Sequence, residues 1–147
     1  PRDARDPEVP MTAERDRLFW LLLVLATLTA ANAVWMLFDP QRWYHDLPAG
    51  VPDTGPFNAH FVRDIGCAFA TIAIALYWAA FRPRWRPPLL AIAAIFLVAH
   101  AALHVFDTAT GALDAHHWLL DLPGVYLPAL IAVPIALHTL RRAGAPA

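Results

Sequence analysis

Residues 60–78 read HFVRDIGCAFATIAIALYW. From Ile65 to Phe81 the chain carries no charge, and the apolar run extends back to Phe57 if four polar residues are accepted inside it: Asn58, His60, Arg63 and Asp64. A bilayer core of about 30 Å takes about 20 apolar residues in a helix, with a range of about 17 to 25. This stretch therefore reads as a membrane span with a polar start, and the rest of the chain decides whether that reading holds.

Three further stretches fit the same window: Leu18 to Phe38, Leu89 to Phe106 and Trp118 to Leu140. Apolar residues make up 59% of the 147, and the mean hydropathy is +0.45. That share is above what soluble domains carry, so a membrane protein is the first expectation. The fold class expected is all-α, a four-helix transmembrane bundle over residues 18–140. A flexible polar tail (1–17) would precede it and a short tail (141–147) would follow. Arg15 and Arg17 before an apolar run, with the small residues of TLTAANA, have some look of a secretory leader. The run is too long for a leader's apolar region, so it reads as a retained helix.

Orientation follows from arginine, since the chain has no lysine. Arg15 and Arg17 precede the first span, Arg82, Arg84 and Arg86 lie in RPRWRPP, and Arg141 and Arg142 follow the last span. The other two connections hold only Arg42 beside Asp39, Asp46, Asp53, Asp107 and Asp114. The excess of arginine on one side predicts cytoplasmic N- and C-termini. Trp20, Trp35, Trp78 and Trp118 near span ends agree with an aromatic belt. With a net charge of -1 and no basic patch, nucleic acid is not an expected partner. Membrane lipids are, with other membrane subunits or a second copy as further candidates. A single cysteine, Cys67, excludes an intrachain disulfide and a CxxC site.

The connection DPQRWYHDLPAGVPDTGPFN has too many prolines and glycines for a long helix; DPQRWYHDL suggests a short turn on the outer interface, anchored by Trp43, Tyr44 and Leu47. Pro87 or Pro88 suits the first turn of the third span. Pro123, Pro128 and Pro134 each remove a backbone donor from the fourth and predict kinks.

Polar residues fall at helical spacing. His60, Arg63, Asp64 and Cys67 share one side of the second span; His100, His104 and Asp107 form a stripe in HAALHVFD; His117 and Asp121 stand four apart in HWLLD. At about 1.5 Å per residue, His60 pairs in depth with His104, and Asp64 with His100. The expected site is a cup open to the outside, with His60, Asp64, His100, His104 and Asp121 as metal ligands. Asn32, Arg63, Asp107 and His117 would form its outer ring. His116 reads as a solvated loop residue, and His45 and His138 as interfacial ones. The far half of the bundle is nearly empty of ionisable groups, which argues against a channel or pump.

Two readings of the cup stay open. The polar groups can hold the helices together by hydrogen bonds, as in a structural or assembly subunit of a larger complex. Alternatively, imidazole and carboxylate suit zinc, copper or iron, and an open coordination position would permit hydrolysis, with a lipid as substrate. Haem b held by His60 with His100 or His104 is a further alternative. The catalytic Glu of HExxH is missing.

The strings RWYHDLPAGVPDTGPFNAHFVRDIGCAFA, HAALHVFD and DLPGVYLPAL resemble small, uncharacterised four-span membrane proteins of bacteria. The likeness runs from about Leu18 to Leu140 and implies a topology, with no activity or cofactor attached; the location expected for the chain is a bacterial inner membrane. A similarity to DoxX-like membrane proteins rests on size and span count.

Overall fold

The computed structural model describes residues 16–144. The expected tail falls almost wholly on residues 1–15, and those lie outside the described part, as do residues 145–147. Helices are α1 (Arg17–Phe38), α2 (Pro40–Asp46), α3 (Ala59–Phe81), α4 (Arg86–Thr110), α5 (His117–Leu120) and α6 (Leu127–Ala143). Short 3-10 turns cover Val51–Thr54 and Pro83–Trp85, and a π-helical turn covers Leu122–Tyr126. No strand occurs among the described residues.

Local chemistry sets the boundaries. Asp16 caps α1 by accepting from the Phe19 amide at 2.7 Å. Asp39 closes α1 and opens α2, whose first residue is Pro40, where a missing N–H is harmless. Asn58 caps α3 by accepting from the amides of His60 and Phe61. Gly111, with φ +79°, ends α4 in the left-handed conformation that glycine adopts without a Cβ penalty. The fourth span is interrupted at Pro123, which has no N–H to donate. The amides of both Val125 and Tyr126 turn to the Asp121 carbonyl, and this widened turn separates α5 from α6.

Four segments are long and apolar enough to cross a membrane: Arg17–Phe38, Ala59–Phe81, Pro83–Thr110 and Leu122–Ala143. Close packing runs α1 on α3, α3 on α4 and α4 on α6. Gly66 sits where α1 and α3 touch: a Cβ there would lie 3.0 Å from Met36 Cβ. Small residues at helix contacts matter in a bilayer, where association is driven by packing rather than by the hydrophobic effect. The main apolar core is built from Phe19, Leu22 and Ala26, with Ile72, Leu76, Ala79, Leu90, Ala93 and Ala136. These residues lie at the end of the bundle where α1 and α4 begin and α3 ends. Large apolar side chains such as Phe38, Ile74, Ile95, Leu119 and Leu130 point outward, as lipid contact requires.

That apolar end is closed by one clamp. Arg86, 9% exposed, donates Nη1 to Asp16 Oδ2 at 2.6 Å and Nη2 to Asp16 Oδ1 at 3.0 Å, and its Nε donates to the Ala79 carbonyl. One guanidinium fork joins the starts of α1 and α4 to the end of α3. The neighbouring arginine pulls the Asp16 carboxyl below the usual aspartate range.

Candidate metal centre

The polar half lies at the opposite end, where two connections meet. The 3-10 turn Val51–Thr54 supplies Asp53, and the connection after α4 supplies His116 and His117. His117 Nε2 lies 3.2 Å from Asp53 Oδ2, and His116 Nε2 lies 3.4 Å from the same oxygen. One donor atom from each of the three residues falls within 4.8 Å of the others. Tetrahedral zinc with bonds of about 2.0–2.1 Å keeps its ligand atoms about 3.3 Å apart, so two edges of such a site are already at length.

His117 is wholly buried while Asp53 and His116 are exposed, so the group has an anchored side and an open side. Behind His117 stands Asp121, 2% exposed. His117 Nδ1 lies 3.5 Å from the Asp121 carboxylate, and His104 Nδ1 lies 2.8 Å from Asp121 Oδ2. A carboxylate in its ionised form can only accept, and toward such a group both histidines would donate from Nδ1. In that tautomer the Nε2 of His117 would present its lone pair toward Asp53, another acceptor. Two acceptors 3.2 Å apart need a proton or a cation between them. A buried carboxylate fixing the tautomer of a histidine whose other nitrogen faces outward is the arrangement found around metal-ligating imidazoles.

No family model, curated protein or solved structure matches this chain.

The loop carrying Asp53 is held by local structure. Gly50, at φ +61°, directs the chain past the His117 ring; a Cβ there would lie 3.0 Å from His117 Cε1, 3.0 Å from Leu120 Cδ1 and 3.2 Å from Asp53 Oδ2. Tyr44, buried on α2, donates its hydroxyl to the Gly55 carbonyl at 2.5 Å and reaches the Pro52 carbonyl at 3.4 Å. Trp43 Nε1 donates to Asn32 Oδ1 at 2.8 Å and ties α2 to α1. Tyr44 therefore holds the loop that carries Asp53, while Trp43 fixes α2 against α1.

The five expected ligands are not brought to one place. His104 and Asp121 join the centre through the Asp121 carboxylate. His100 packs among rings instead: stacked on Phe96, edge-on to Phe69, and 4.7 Å from the His104 ring. His60 and Asp64 pair with each other at 3.4 Å, with side chains 87% and 61% exposed. No hydrogen bond, ion pair or ring contact joins His60 to His104 or Asp64 to His100 among the described residues, and Gly66 rather than this face of α3 meets α1.

Of the expected outer ring, only His117 belongs to the centre, and it stands in the group of three itself. Asn32 serves the α1–α2 contact, Arg63 donates Nε to the Leu37 carbonyl at the end of α1, and Asp107 gives its backbone carbonyl to Ala112 and Leu113. Asp53 and His116 were not legible as site residues. The one sequence signal was the His116–His117 doublet, and nothing in spacing connects it to a proline-flanked aspartate in another connection.

Proposed function

We propose that this chain is a multi-pass protein of a bacterial inner membrane whose Asp53, His116 and His117 bind a transition metal at the outer mouth of the bundle. The observation that carries the reading is the buried His117 ring held between two carboxylates, Asp121 on Nδ1 and Asp53 on Nε2. A divalent cation at Nε2 answers the local excess of acceptors and the burial of Asp121, since a buried charge is tolerated only with a partner. Imidazole with carboxylate suits zinc best among common metals, with copper and iron as neighbours in preference. The distribution of arginine supports the outward placement of this end.

Three protein ligands leave a coordination position open, the pattern of catalytic rather than closed structural zinc sites. Metal-bound water at such a position ionises near pH 7, which would supply a nucleophile for hydrolysis. The exposed sides of Asp53 and His116 leave room for a substrate at headgroup level, so a lipid ester is the substrate class favoured. A second reading, that the His104–Asp121–His117 contacts serve as hydrogen-bond glue between α4 and the fourth span, is favoured by the short His104–Asp121 distance.

Calorimetric titration of chelator-treated protein in mild detergent with zinc separates the two. The metal reading expects one site per chain, lost in Asp53→Asn and His117→Ala and retained in His60→Ala. Absence of a saturable site in the wild type, or equal loss in His60→Ala, contradicts it.

A further inference from the structure

The outer half of α3 carries the second unusual feature of the molecule. Its exposed face runs His60, Asp64, Cys67, Thr71, Ile74 and Trp78, with Arg63 at its flank. These positions alternate by four and three residues, a single seam along the helix. The other long helices expose mainly apolar side chains: Leu21, Val24 and Leu28 on α1, Ile92, Ile95 and Leu103 on α4, Leu130 and Leu137 on α6, whose one exposed histidine, His138, lies near that helix's end. Along α1 from Leu18 to Phe38 and along α4 from Pro87 to Phe106, no ionisable side chain is exposed.

Depth makes the contrast physical. α3 has 23 residues, about 34 Å at 1.5 Å each, so Asp64 lies roughly 7.5 Å below its first residue and Cys67 roughly 12 Å. In a core of about 30 Å these positions fall beneath the hydrocarbon boundary. An acidic or basic side chain facing lipid there is unfavourable, most at mid-depth and less toward the boundary. The contacts within the chain answer this only in part. Asp64 has the His60 ring at 3.4 Å, and Arg63 donates Nε to Leu37, leaving its two terminal nitrogens without a protein partner among the described residues.

We infer that this seam is a homodimer interface: a second copy of the chain packs its own α3 against it, related by a two-fold axis along the membrane normal. Such an axis brings equal depths together. Arg63 and Asp64 are one residue apart in depth and side by side on the helix, so each Arg63 meets the Asp64 of the second copy and the pair is made twice. The patch is complementary to itself, as a two-fold interface demands. Cys67 and Thr71 are small enough below the ion pairs for close helix approach, and the Thr71 hydroxyl is already bonded to the Cys67 carbonyl.

Cys67 supplies the test, because it is the sole cysteine and lies on the seam. Native membranes containing the full chain are treated with a short bismaleimide. The expected result is a product of twice the chain mass, absent in Cys67→Ser and not regained when Ile95→Cys on the lipid-facing side of α4 is added to that variant. Asp64→Arg or Arg63→Asp alone lowers the dimer yield several-fold, and the double exchange restores it. The inference is overturned by a wild-type chain that stays monomeric, by a product whose mass shows a different protein joined at Cys67, or by equal linking through Ile95→Cys. None of these readouts depends on the metal centre.

Discussion

His117 Nε2 and Asp53 Oδ2 lie 3.2 Å apart although 64 residues separate them in the chain. The contact joins the connection between α1 and α3 to the one between α4 and α6, and it closes the polar end of a bundle whose helices otherwise pack in sequence. A cation held there would act as a tie between the two halves as well as a chemical centre.

Metal should therefore stabilise the fold. A ligand bound only by the folded state contributes about 2.7 kcal/mol at one hundred times its Kd. Zinc in excess should raise the thermal midpoint of the detergent-solubilised wild type and leave that of His117→Ala unchanged. Equal shifts in both would place the ion elsewhere.

Two glycines with positive φ give a paired comparison. Gly50 and Gly111 each hold a conformation that costs an L residue about 1–2 kcal/mol, but only Gly50 also abuts the centre. Gly111→Ala should lower stability and keep zinc affinity, since nothing lies within 4 Å of its Cβ position. Gly50→Ala should lower both, by pushing on the His117 ring and Asp53; titration calorimetry on the two variants reads the difference.

Tyr44 tests the support of the loop. Tyr44→Phe removes the hydroxyl bonded to the Gly55 carbonyl, worth about 0.5–1.5 kcal/mol net. Felt in full at Asp53, a loss of that size weakens zinc binding by roughly 2- to 10-fold. An unchanged zinc affinity would show that Asp53 is positioned without it.

At the other end, the clamp of Asp16 and Arg86 predicts a pH dependence. The carboxyl is held below its ordinary range, chiefly by its hydrogen bonds to Arg86. Its contribution is therefore complete above the unfolded value, near 3.9, and is lost as pH falls through the lower folded value. Asp16→Asn should unfold more readily than wild type at neutral pH, and the gap should close in strong acid. Thermal midpoints measured across that range check the sign.

Much of this was legible in the sequence. Apolar runs of span length located all four segments long and apolar enough to cross a membrane, and Pro123 was among the prolines expected to kink the fourth, which is interrupted there. Helical spacing also grouped His60 with Asp64 and His117 with Asp121 correctly within their own helices. Which way each pair faces was not legible, because spacing fixes a shared side and leaves its direction to packing. The close approach at Gly66 decides that direction for α3 and sends His60 and Asp64 outward. Asp53 and His116 were hidden for a different reason: their meeting depends on Gly50 and Tyr44 folding one connection over another, a tertiary event with no periodic trace.

The most direct measurement is the metal content of protein purified in mild detergent without chelator or a polyhistidine tag, by elemental analysis of wild type and His117→Ala. The account predicts close to one transition-metal ion per chain, zinc foremost, falling to background in the variant while the variant remains folded. A wild type free of metal, or a variant that keeps its ion, would contradict it.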